Sequence, residues 1–121
     1  LTTAINMNTG EHMWQIPNGE MNAKQQAAFR NNPMLKGVEV ETNWGRRQHS
    51  AMLTTPNMLM ATGTTADDRP HLFAIDKKTG KRIAQVATPR LGQYGIMTYL
   101  HNGKQYVVLP RKGGYTALAL P

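Results

Sequence analysis

An internal repeat constrains this chain more than any other feature. Residues 4–11 read AINMNTGE and residues 74–81 read AIDKKTGK. Ala, Ile, Thr and Gly recur in place, and Asn6 answers Asp76 in kind. Self-similarity at a fixed offset marks a supersecondary unit stacked on copies of itself. The unit reads as a β-hairpin. The stretch HLFAID enters as a strand, Asp76 can accept a backbone N–H two residues on, and Gly80 supplies the positive φ that closes the loop. KRIAQV then leaves as the partner strand. The same spacing puts Asn6 and Gly10 around an equivalent turn before HMWQI at 12–16.

The rest of the chain follows the same grammar. AMLTTP (51–56) and NMLMATG (57–63) flank a Pro56–Asn57 turn. GIMTYL (95–100) and QYVVLP (105–110) flank His101-Asn102-Gly103-Lys104, where Asn-Gly is a strong hairpin signal. RKGG leads into YTALAL at 115–120. Strands grouped two, four and three predict an all-β fold, and a recurring four-stranded unit predicts propeller blades. Residues 1–16 are then the end of one blade, 51–87 a full blade and 88–121 a last, partial blade. Residues 17–50 form a long insert with a short helix around Ala27, Ala28 and Phe29. A connection of that length points to function or to disorder, and in a propeller such inserts tend to emerge on the face where ligands bind.

Composition removes several classes of function. The 121 residues hold no Cys, which excludes a disulfide scaffold, a thiolate zinc site and a Cys nucleophile. No apolar run approaches the ~20 residues needed to span a bilayer, and the first ten residues lack the pattern of a signal peptide. The motif that begins almost at Leu1 reads as a chain cut from something larger. The net charge of +7 invites a nucleic-acid partner, but the cations are scattered over separate turns with no block of five or six, so no nucleic acid is expected. His12, His49, His71 and His101 show no metal-ligand spacing. His49 alone lies near the candidate site, and Asp67 and Asp68 read as solvated loop carboxylates.

AINMNTGEHMW and LFAIDKKTGKRIAQV resemble the repeat of the pyrroloquinoline-quinone (PQQ)-dependent dehydrogenases, in which an Ala-x-Asp-x-x-Thr-Gly-Lys-x-x-Trp pattern closes each blade. MTYLHNGKQYVVLPRKGGYTALALP is similar to the end of that family. The resemblance covers nearly the whole chain. It implies the last blades of an eight-bladed quinoprotein propeller, a partial β-propeller whose missing strand comes from elsewhere in the full protein. It also implies that Trp14 docks blade to blade, and that Ala84, at the same place in the second repeat, loses or replaces that contact.

The resemblance further implies a role for Asn43-Trp44-Gly45, where the family reaches its central cavity. Asn43, Trp44, Gly45 and Arg46 become candidate cofactor-binding residues. A planar indole can cover a planar quinone, an amide can bond its oxygens, and a guanidinium suits its carboxylates. Arg46 and Arg47 stand where the family has a second Gly and a short run. The implied reaction is oxidation of a sugar, polyol or alcohol, with PQQ and Ca²⁺ as cofactors and a membrane quinone or cytochrome as electron acceptor. The catalytic base and the calcium ligands belong to earlier blades, so this chain alone is expected to be inactive. The family implies a periplasmic, membrane-associated setting. The alternative is a non-enzymatic propeller that uses the same repeat as a scaffold or assembly module.

Overall fold

The computed structural model describes residues 1–39, 43–89 and 94–120. Residues 40–42 of the insert, 90–93 of the connection into the last sheet and Pro121 of the terminal Ala-Leu-Pro lie outside them. The described residues form nine strands and one short α-helix: β1 (Thr2–Ile5), β2 (His12–Ile16), α1 (Ala23–Arg30), β3 (Met52–Thr54), β4 (Met58–Thr64), β5 (Pro70–Asp76), β6 (Arg82–Ala87), β7 (Met97–His101), β8 (Lys104–Arg111) and β9 (Gly114–Ala119). A 3-10 turn at Pro33–Leu35 follows α1. The strands make three antiparallel meanders of two, four and three strands, each in sequence order. This is an all-β, partial propeller. The helix expected around Ala27–Phe29 starts earlier, at Ala23, because Asn22 caps it.

Both copies of the repeat close with an Asx turn, the second more fully bonded than the first. Asp76 Oδ1 accepts from the N–H groups of Lys78 at 2.9 Å and Thr79 at 2.8 Å. Asn6 Oδ1 accepts from Asn8 N–H at 2.9 Å. Gly80 N–H donates to Asp76 O and Gly10 N–H to Asn6 O, and both glycines have positive φ, +73° and +75°. Each hairpin carries a bulge at the same place, Ala4/Ile5 and Ala74/Ile75. In the last sheet, Asn102 and Gly103 both have positive φ, as a two-residue type I′ hairpin turn requires.

The four-stranded sheet is the middle layer, and successive side chains of β4 and β5 go to opposite faces. On one face Ala61, Phe73 and Ile75 pack with Trp14, Ile16 and Leu59 of the first and second sheets. On the other, Met60 and Leu72 join Ala51, Ile96, Val107 and Leu109 against the third sheet. A central strand covered on both faces explains why MLMAT reads as a continuous apolar run rather than an alternating one.

The first seam is fastened by one indole. Trp14 Nε1 donates to Lys77 O at 2.8 Å, and the indole lies flat on Gly80, where an added Cβ would stand 2.8 Å from Trp14 Cδ2. Lys77 itself reaches back to the carbonyls of Thr55 and Pro56. At the second seam Ala84 occupies the position of Trp14. It lines an apolar hollow of about 270 Å³ together with Leu72, Ala74, Val86, Leu118 and Leu120. The contact is replaced there by the Met60–Val107 core rather than by a second indole.

Two glycine substitutions separate the parts of this fit. Gly10→Ala meets open space and carries only the left-handed backbone penalty of roughly 1–2 kcal/mol. Gly80→Ala adds the indole clash, an overpacking cost of about 1–3 kcal/mol more. Urea unfolding of the two variants should show the larger loss at Gly80; equal losses would mean that Trp14 does not dock there.

Candidate functional site

The insert leaves β2 at Ile16 and returns before β3, and its two ends meet. Arg46 N–H donates to Asn18 O at 2.8 Å, and Glu20 N–H donates to Thr64 O at 2.8 Å. Glycine is required at this neck. Gly45 has φ +75°, and a Cβ there would fall 2.8 Å from both Asn18 N and Asn18 O. Gly19 has φ +67° and faces Thr64 O and Gln48 Nε2 just as closely. The antiparallel topology puts the neck and the β4–β5 turn at one end of the sheets, opposite the Asx turns. The four candidate residues therefore converge on the end of the sheets that carries the insert.

Each plays a different part. Asn43 Oδ1 accepts from Met21 N–H at 3.2 Å and Gly45 N–H at 3.1 Å. Two backbone donors fix which end of the amide is oxygen, and Nδ2 then has no acceptor among the described residues. Trp44 is 54% exposed, with its ring stacked on Phe29 of α1 at 6.2 Å between centroids and 19° between planes. Its backbone N–H points at Met21 Sδ, 3.4 Å away, and Met21 is buried. Gly45 makes the bend. Arg46 turns inward and is only 13% exposed.

The environment of Arg46 differs from the one expected beside an anionic cofactor. Its Nε donates to Glu20 O at 2.6 Å, and its Nη1 pairs with Asp68 Oδ1 at 2.5 Å. Its Nη2 is buried with no partner among the described residues, as is Gln48 Nε2. Asp68 is thus not a free loop carboxylate. Its two oxygens also accept from Asn22 Nδ2, each at 3.2 Å. The Arg46 guanidinium first, and the Asn22 amide second, hold the Asp68 carboxyl below the usual carboxylate range. Arg47 and His49 are exposed.

Glu20 ties the other side of the neck. Its Oε1 pairs with Arg82 Nη1 at 2.5 Å, and its Oε2 accepts from Ala66 N–H at 2.9 Å. Arg82 lies over the Phe73 ring, 3.8 Å from its centroid, a cation–π contact. A polar groove of about 380 Å³ opens beside this pair, lined by Glu20, Thr65, Asp67, Arg69, His71 and Gln85. The Thr65 hydroxyl holds the Asp67 carboxyl low, with help from Arg69. Among the described residues no three His, Cys, Asp or Glu side chains converge as a metal site would need.

These residues fit a flat quinone in part. The exposed indole of Trp44 offers a stacking face, and Asn43 Nδ2 offers a donor. Arg46 offers little, because its charge is already matched by Asp68. The supports of the site, Glu20, Met21 and Asp68, carry no motif in the sequence. Asn22 does: Asn22 and Gln25 cap each other's backbone at 2.9 and 3.0 Å, and a cap residue with Gln three positions on is a helix-start signal.

Three carboxyls, Asp67, Asp68 and Asp76, have folded values held below the ordinary 3.8. Their stabilising contribution is complete above that value and is lost as the pH falls through the depressed folded values. The urea midpoint should be flat from neutral pH to about pH 4.5 and then fall. Asp68→Asn should remove its share of the fall; a midpoint that ignores pH down to about 3 would contradict these pairings.

Residues 1–107 match the family model described as "PQQ: Glucose/ethanol/alcohol dehydrogenase, beta-propeller domain". The chain is 32% identical over 124 aligned positions to the glycerol dehydrogenase large subunit of Gluconobacter thailandicus, covering all of this chain and 15% of that protein. It is 30% identical, with the same coverage, to the glycerol dehydrogenase large subunit of Gluconobacter oxydans (strain 621H). The chain thus spans 15% of the length of these curated relatives. No solved structure gives a significant match. With a family match over most of its length, a repeat whose Asx turns recur in three dimensions, an indole of the first unit docked on the second, and sheets of two, four and three strands, this chain belongs to the PQQ-dependent dehydrogenase β-propeller family.

Proposed function

We propose that this chain is the closing arc of a PQQ-dependent dehydrogenase that oxidises a polyol or a related small alcohol or sugar, and that Asn43 and Trp44 form part of its quinone cavity wall. The observation that carries the reading is the half-exposed Trp44 indole, held on a glycine-bent neck at the insert end of a family propeller. The names of the two relatives favour glycerol among the polyols. A bound quinone would supply the two-electron acceptor for the alcohol carbon. The residues of this chain would do the holding. Trp44 covers a ring face, Asn43 Nδ2 donates to an oxygen at the ring edge, and Gly45 lets the chain bend away.

The proton-accepting base and the Ca²⁺ ligands lie in the remainder of the propeller on this reading, so the segment alone is inactive. The setting proposed is the periplasm, with a membrane quinone or a cytochrome taking the electrons. A scaffold propeller of the same repeat would need the Trp14 docking but has no use for an aromatic displayed like Trp44.

The test is titration of PQQ, with and without Ca²⁺, into the full-length protein that carries this segment. Trp44→Ala should weaken quinone binding by about five- to thirtyfold, the loss of a stacked face being worth roughly 1–2 kcal/mol. Asn43→Ala is a harsher change, because Met21 and Gly45 N–H lose their acceptor with it. Undiminished affinity in Trp44→Ala would end the cavity-wall reading, and no quinone binding by the intact protein would favour the scaffold.

A further inference from the structure

We infer that Asp68 and Arg46 are positioning residues that fix the Trp44 face for its ligand, without touching that ligand themselves. One carboxylate anchors both rings of the aromatic stack. Asp68 pairs with Arg46, two residues after Trp44. It also accepts from Asn22, the N-cap residue of α1, whose Phe29 lies against Trp44. The path from Asp68 through Arg46 to Trp44, across to Phe29 and back through α1 to Asn22 is therefore closed.

The helix arm of this circuit is the weakly held one. α1 is eight residues long and buries none of them. A helix this short is marginal alone, so its cap and its ring contact decide whether it stays in place. Asp68 is well suited to the anchoring role because its turn presents it rigidly. Thr65 N–H donates to Arg69 O, Asp68 N–H donates to Thr65 O, and Asp68 itself has φ +64°. Asp and Asn are the non-glycine residues that tolerate this conformation. The carboxylate is acceptor-only, as two facing donors require. The buried neck makes the pairing necessary, since an Arg46 charge so enclosed needs a partner.

The inference rests on Trp44 being a quinone contact, and the experiment separates the two claims. Asp68→Asn keeps the backbone conformation and the shape but removes the charge that matches Arg46 and sets an N–H₂ against the Asn22 amide donor. In the full-length protein, hydrogen exchange of the peptide spanning residues 43–48 reads the neck directly, through the Arg46 N–H bonded to Asn18 O and the Gly45 N–H bonded to Asn43 Oδ1. Quinone titration of Asp68→Asn, Trp44→Ala and the double variant reads the coupling. Exchange in Asp68→Asn should rise about tenfold or more, since local opening sets it. Quinone affinity should fall about fivefold in the otherwise unchanged protein and by less than about twofold when Trp44→Ala is already present, the non-additivity of residues acting as one unit. Unchanged exchange overturns the positioning role. Additive losses overturn it too, because Asp68 would then act on quinone binding by a route that does not pass through Trp44. Faster exchange with no effect of Trp44→Ala on quinone binding leaves the Asp68 anchor standing, removes the cofactor reading, and with it the positioning of that face.

Discussion

The seating of Trp14 on the second repeat is the contact on which the layered arrangement depends. Two strands cannot bury an apolar face alone, and β1–β2 presents little beyond Trp14 and Ile16 to its neighbour. The indole needs a flat floor and a carbonyl within reach. Gly80 provides the floor because it has no Cβ, and Lys77 provides the carbonyl. Neither would be positioned without the Asp76 carboxylate, which accepts from Lys78, from Thr79 N–H and from the Thr79 hydroxyl. Ala-x-Asp-x-x-Thr-Gly is therefore a receptor for the tryptophan of the preceding unit, and each of its residue types has a physical task. The second seam shows what happens without the indole: its core is larger and purely aliphatic, and a hollow remains beside Ala84.

The insert is held by different forces. Where the sheets rely on burial, the insert relies on caps, ion pairs and one ring stack. Glu20–Arg82 and Arg46–Asp68 pin its two ends to the middle sheet, and among its described residues Asn18, Gly19 and Met21 are the buried ones. Segments with few buried apolar contacts occupy the low-stability end of a protein's local opening energies. That division suits a binding element, since the apolar core is left undisturbed when the insert adjusts.

The sheets were legible in the sequence because their rules are local. Asn-Gly demands a type I′ turn, an Asx residue with Gly four positions on demands a closed loop, and alternation or its loss reports burial on one face or two. The short helix was legible as a helix, and its start at Ala23 follows from the Asn22–Gln25 cap. The inward turn of Arg46 was not legible. Its partners, Asp68 and the carbonyl of Glu20, are more than twenty residues away on either side, and nothing in their spacing marks them. Asp68 reads as a solvated loop carboxylate and its side chain is more than half exposed; what the sequence does not mark is its pairing with Arg46 and Asn22. Only the positive φ of its turn aims it at the neck.

The same difference alters what the chain's positive charge can do. Arg46 follows Trp44 by two residues, and a guanidinium there reads as a hook for an anionic ligand. Enclosed as it is, an unmatched Arg46 would be strongly destabilising, so the fold pairs it with Asp68 and its charge is matched inside the neck. The recognition groups that remain at the proposed wall are an indole face and one amide N–H₂. Such a surface discriminates by flatness and by the placement of an acceptor at the ring edge, not by net charge. A small anion gains nothing from it, whereas a planar quinone gains both the stacked area and the hydrogen bond.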